Sequence, residues 1–117
     1  MNLNPQDYLL HSFTAAVKAA DPLHLVPQHL PSPPKGRTFI VGAGKASAAM
    51  ALATENAWPQ DMPLEGIVVT RYGHALPTQR IKIIEASHPI PDSDGEHASK
   101  QIMSAIRTLH AEDLLLC

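Results

Sequence analysis

The chain has 117 residues, 44% of them apolar, and a formal charge of −2. That length suits one domain, which at this size buries roughly two thirds of the surface its unfolded chain exposes, and the balanced charge offers no basic field of the kind nucleic acid requires. Its single cysteine, Cys117, excludes an internal disulfide. The opening MNLNPQDYLLHSF carries neither a basic leader nor an apolar run long enough for a signal peptide or a membrane span. A cytoplasmic protein is expected, with no nucleic-acid or membrane partner.

In chain order, Pro5 suits the start of a helix, and Leu9, Phe13 and Val17, with Leu10 beside them, share one face at a spacing of four. The pattern predicts a helix over 5–20. Five prolines follow in DPLHLVPQHLPSPPKG, and the angles they impose on preceding residues predict an ordered, non-repetitive connection over 21–36. The remainder, 37–117, reads as an α/β core. RTFIVG is a short apolar strand, GKASAAMALATENA an alanine-rich helix ending near Trp58-Pro59, EGIVVT a second strand and RIKIIEAS a third. PDSDGEHASKQIMSAIRTLH predicts a helix in which Ser93 and Glu96 have capping-box spacing, Glu96 pairs with Lys100, and Ile102, Met103, Ile106 and Leu109 make the buried stripe. EDLLLC begins a fourth strand.

Continuous apolar strands interleaved with helices indicate a doubly wound α/β layer, a mainly parallel sheet with helices on both faces. One joint stays open. RYGHALPTQR, between the second and third strands, is too short for a helical crossover, so those strands form either an antiparallel pair or a pair joined by an extended crossing.

The stretch FIVGAGKASAAMALA places glycines and a lysine where a strand turns into a helix. In such sheets ligands bind outside the carboxyl ends of the strands. Gly42 and Gly44 let the backbone turn tightly and approach an anion at a helix N-terminus, and Lys45 adds a full positive charge. A Walker-type loop is excluded, because Ala46 and Phe39 stand where Ser/Thr and glycine are needed. A dinucleotide loop fits better, with Ser47 as the small residue at the third glycine position, and Arg71 at the end of the second strand would suit a 2′-phosphate, so NADPH is an alternative ligand. ASHPIPD fixes His88 and Asp92 at the same edge, either for acid-base work or as local caps. His11, His24, His29, His74, His97 and His110 show no paired metal-ligand spacing, and no metal site is predicted.

VGAGKASAAMA, then GIVVTRYGHA, then EASHPIPD resembles the N-terminal part of the glycerate 2-kinase family, whose members are also labelled hydroxypyruvate reductases. The resemblance covers nearly the whole chain. It implies a Rossmann-like N-terminal domain that faces a second domain across the active-site cleft, and transfer of the ATP γ-phosphoryl group to the 2-hydroxyl of D-glycerate with Mg²⁺. It also implies that Lys45 stabilises anionic charge, that Gly42, Ala43, Gly44 and Ser47 contact phosphate, and that Arg71, His88 and Asp92 border the substrate. Ending in DLLLC, the chain reads as a truncated N-terminal portion, expected to be inactive alone and prone to self-association. A non-catalytic anion-binding α/β module is the alternative from another class.

Overall fold

The computed structural model describes residues 4–117. Helix α1 spans Pro5–Ala19, α2 Pro22–Leu25, and a single 3₁₀ turn Val26–Gln28 follows it; the α/β layer contains β1 (Thr38–Ala43), α3 (Ser47–Ala57), β2 (Glu65–Arg71), β3 (Ile81–Ala86), α4 (Ser93–Ile106) and β4 (Leu114–Leu116). The four strands form one sheet in the order β3-β2-β1-β4, and every pairing is parallel. The chain therefore steps outward from β1 to β3 and then doubles back past β1 to β4. That reversal is the topological switch of a doubly wound sheet.

Strand alternation assigns the faces. Ile40, Val68 and Ile81 pack with Ala51, Trp58 and Leu64 in the core on the α3 side, joined by Leu114 and Leu116 of β4. Small side chains let α3 lie close to the sheet, with Ala48, Ala51 and Ala53 all buried. Gly66 permits the same closeness between strands, since a Cβ there would meet the Ile40 carbonyl oxygen at 2.5 Å. On the opposite face α4 rests over β3. Gly95 lies against Ala86, and Lys82 Nζ donates to Gln101 Oε1 at 2.9 Å.

The open joint resolves as an extended crossing. β2 and β3 are parallel, from Gly66 opposite Ile81 to Arg71 opposite Ala86, and 72–80 returns the chain without a helix. A substitute for helical support comes from Glu55 on α3. Its carboxylate accepts the backbone N–H groups of Gln79, Arg80 and Ile81 at 2.6, 2.7 and 3.0 Å. Burial pushes the Glu55 carboxyl up, but those three donors and the Arg80 charge together outweigh it and hold the group below its ordinary range.

Three expectations need correction. The proline-rich connection is not wholly non-repetitive: Asp21 accepts the Leu23 N–H at 2.9 Å and starts α2, because Pro22 and Pro27 sit at first-turn positions where a missing N–H costs nothing. Helix α4 is capped by Asp92, which accepts the Gly95 N–H at 3.0 Å, so Ser93 is its first helical residue and not its cap. Its stripe is also shallower than predicted. Ala98 alone is fully buried in α4, Ile102 and Ile106 are half-buried, Met103 is exposed, and half-buried Leu109 lies beyond the helix, which stops at Ile106. The Glu96–Lys100 pair forms at 2.6 Å.

Helix α1 is locally well specified and globally unsupported. Asn4 and Asp7 make a reciprocal capping box, yet no residue of the helix is buried, and Leu9 and Phe13 are 74% and 68% exposed. No described helix is long and apolar enough to cross a membrane.

Candidate functional site

At the carboxyl end of β1 the chain must leave the sheet and enter α3 within three residues. Gly44 makes this turn at φ +126°, a conformation strained for any residue with a side chain. Its N–H donates to the Val69 carbonyl at 3.0 Å, tying the turn to β2. The Ser47 hydroxyl adds a second tie, lying 2.7 Å from the Val69 carbonyl oxygen and 2.8 Å from that of Gly44. Ser47 was expected at a phosphate. Its hydroxyl is instead turned inward and bonded within the loop.

The turn leaves donors free. Helix α3 has Ala46 at its N-cap and no side-chain cap. Among the described residues the N–H groups of Lys45, Ala46, Ala48 and Ala49 have no protein acceptor, and the Lys45 ammonium takes part in no ion pair. These donors and the Lys45 charge make the start of α3 attractive to an anion. They border a cleft of about 940 Å³ that runs from Gly42, Ala43, Gly44 and Lys45 to Leu116 of β4 and Cys117 just after it, with Leu25, Val26 and Leu30 also lining it. The cleft thus lies at the reversal between β1 and β4, where doubly wound sheets take ligands. A shallower depression of about 400 Å³ follows the 75–83 segment, away from these donors.

Arg71, His88 and Asp92 do not line this cleft. They gather farther along the carboxyl edge, at the ends of β2 and β3, and alternation puts Arg71 on the α4 face. Arg71 and His88 are exposed. Asp92 is half-buried, caps α4 and accepts the Tyr72 hydroxyl at 2.6 Å. The same hydroxyl lies 2.5 Å from Asp94, so one phenolic proton serves two carboxylates. Hydrogen bonding to Asp92 and then Asp94 drives the Tyr72 phenol well above its usual range, and the Tyr72 bond, then the Gly95 N–H, holds Asp92 below its own. Of the two sequence readings of Asp92, the cap is the one the geometry displays.

Sequence reasoning passed over Tyr72, Glu85, Asp94 and Glu55. Glu85 was the most findable, a carboxylate closing the apolar strand IKIIEA beside a glycine turn. It accepts the N–H groups of Gly73 at 2.7 Å and Ala75 at 3.3 Å. Gly73 takes a positive φ of 79° in that turn.

Fold and site together define a doubly wound α/β layer with a strand-to-helix turn whose N–H donors are free. A family model described as "Domain of unknown function (DUF4147)" matches residues 8–117, and the chain belongs to that family. A protein of Agrobacterium vitis named "Putative hydroxypyruvate reductase" is 50% identical over 115 residues, 98% of this chain and 26% of its own. "Glycerate 2-kinase" of Pyrococcus horikoshii is 31% identical over 112 residues, 86% of this chain and 25% of the relative. A solved structure from Pyrococcus horikoshii superposes with a TM-score of 0.79 at 28% identity, covering 98% of this chain and 28% of that one. The chain spans about a quarter of the length of the curated relatives it matches.

Proposed function

We propose that this chain forms the anion-binding part of a glycerate 2-kinase, in which the 2-hydroxyl oxygen of D-glycerate attacks the γ-phosphorus of ATP and the bond to the β-phosphate breaks. The observation that carries the reading is the Lys45 ammonium without an ion-pair partner, beside free N–H groups at the switch between β1 and β4. Phosphoryl transfer relies chiefly on positioning and charge stabilisation, and this turn supplies both from Gly42, Ala43, Gly44 and Lys45. The name of the Pyrococcus relative supports the same assignment. Among the described residues no group of three or more His, Cys, Asp or Glu is placed to hold a metal, so no side chain is assigned to Mg²⁺, an ion that phosphates themselves ligate in such reactions.

Reduction of hydroxypyruvate by NADPH is the second reading. The name carried by the Agrobacterium relative and the Arg71 cation at the end of β2 favour it. The inward Ser47 hydroxyl does not oppose it, since a dinucleotide turn asks only for a small residue there. Phosphorus NMR of the chain with ATP, Mg²⁺ and D-glycerate tests the first reading. A phosphomonoester at the 2-position that vanishes in Lys45→Ala supports the kinase. ATP shifts that are identical in the wild-type and Lys45→Ala chains would remove the role given to Lys45, and NADPH oxidation by hydroxypyruvate would transfer the assignment to the reductase. Binding of pyrophosphate that Lys45→Ala weakens, without either turnover, keeps the anion-binding role and agrees with a chain that is inactive alone.

A further inference from the structure

The two loops beyond β2 and β3, 71–75 and 87–92, are tied by acidic groups and leave their basic ones without partners. Glu85 holds the first loop through the N–H groups of Gly73 and Ala75. Tyr72 joins that loop to the second through Asp92 and Asp94, and its own N–H donates to the Ala86 carbonyl at 3.2 Å. Arg71, His74 and His88 remain exposed, and none of their side chains has a hydrogen-bond partner among the described residues.

We infer that Tyr72 and Glu85 are positioning residues, which lock the two loops into one platform presenting Arg71, His74 and His88 to a carboxylate-bearing substrate. The inference rests on the proposed reaction, for which it separates two tasks: the glycine turn takes phosphate, and this platform takes the hydroxy acid. The physical reason is directional. A loop whose N–H groups are already bound to Glu85 cannot rearrange its backbone around a ligand, so its free side chains meet the ligand from fixed roots, which lowers the ordering cost of binding. Asp92 and Asp94 lie beside this platform, and the Tyr72 proton and the N-terminus of α4 offset part of their charge.

The test follows amide and imidazole NMR signals of the chain during titration with D-glycerate and, separately, with pyrophosphate. Glycerate is expected to shift signals of 71–75 and 87–92, and pyrophosphate those of 43–49. Tyr72→Phe and Glu85→Ala should each weaken glycerate binding about three- to tenfold, the range of one modest hydrogen bond, and leave pyrophosphate binding unchanged. Glu85→Gln keeps a carbonyl acceptor and should recover most of the loss. In an Arg71→Ala background the effect of Tyr72→Phe should largely disappear, because a residue that acts through another is not additive with it. Glycerate affinity indifferent to Tyr72→Phe and Glu85→Ala, full additivity with Arg71→Ala, or no glycerate shifts in either loop overturns the inference. Pyrophosphate binding that ignores Lys45→Ala sinks the phosphate role of the glycine turn and leaves the platform standing.

Discussion

The two edges of the sheet are built from the same residue types and use them oppositely. At the amino edge Arg37, Glu55, Glu65 and Asp113 are all engaged. The Asp113 carboxylate accepts the backbone N–H groups of Arg37 at 2.7 Å and His110 at 2.8 Å, and the Arg37 guanidinium reaches Glu65 at 3.1 Å and the Thr108 carbonyl at 2.7 Å. Gly36 is needed beside it because a Cβ there would collide with the Asp113 carboxylate. Glu55 does the same work for the start of β3. At the carboxyl edge Lys45, Arg71, His74 and His88 have no such partners among the described residues, and the start of α3 keeps its N–H groups free. One edge closes the fold and the other leaves donors and cations without partners, so on the proposed reading substitutions should divide between stability and binding.

Glu55→Ala is the largest expected break. It leaves three backbone donors without an acceptor, one of them on buried Ile81, and should cost about 3 kcal/mol in denaturant unfolding. Pyrophosphate affinity of the folded fraction should stay at the wild-type value. A loss below about 1 kcal/mol would mean that the crossing is held by Arg80 instead, whose guanidinium reaches the Met62 carbonyl at 3.1 Å.

Gly44→Ala comes next and acts on the boundary between the two roles. Nothing lies within 4 Å of the added Cβ, so the cost is strain at φ +126° alone, about 1–2 kcal/mol by thermal or denaturant unfolding. Pyrophosphate binding should weaken with it. Lys45→Ala is the converse, with unfolding free energy unchanged within about 0.5 kcal/mol and pyrophosphate affinity lower by about tenfold, one charged hydrogen bond's worth. If Lys45→Ala instead destabilised the fold, the division between the edges would fail at its central residue.

The same division has a pH signature. Burial raises Glu55 but its three N–H donors together prevail, and Asp113 is lowered first by the N–H groups of His110 and Arg37, so both carboxyls are held below their ordinary values. Groups depressed in the folded state stabilise it above their unfolded pKa and lose that contribution as pH falls through the folded one. Melting temperature should therefore be flat near neutrality and decline below about pH 4.5. Glu55→Ala should flatten the acid limb. Tyr72 has the opposite sign: its phenol is raised, so its contribution is complete below about pH 10, the ordinary phenol value, and fades at higher pH.

Much of this was legible beforehand because strands and helix α3 announce themselves through local pattern. FIVGAGK specified β1, the turn and the lysine together, since a glycine pair between an apolar run and an alanine run has few other uses. What escaped depends on distance in sequence. Glu55 meets residues 24 to 26 positions away, and Tyr72 meets Asp92 and Asp94 at 20 and 22. Neither pairing has a periodic signature. Ser47 and Asp92 were found as residues of the right edge, but their hydroxyl and carboxylate orientations follow from backbone geometry that composition does not encode. The orientation of β3 was undecided for the same reason, because the support for a helix-free parallel crossing lies on α3 and not in the crossing itself.

Helix α1 gives the smallest predicted effect and tests a different contrast, between an element that obeys every local rule and one that is packed. Its capping box, Pro5 and Lys18 in the last turn all favour a helix, yet an isolated helix of this length is marginal in water without a packed face. Removing residues 1–19 should therefore change the unfolding free energy of the α/β layer by less than about 1 kcal/mol. In dilute solution the α1 amides should exchange hydrogen orders of magnitude faster than those of β1 and β2. Protection that grows with protein concentration, and that Phe13→Asp abolishes, would show that Leu9, Phe13 and Val17 are covered by a second copy. In that case the apolar face read from the sequence would be buried after all, against a partner and not against its own sheet.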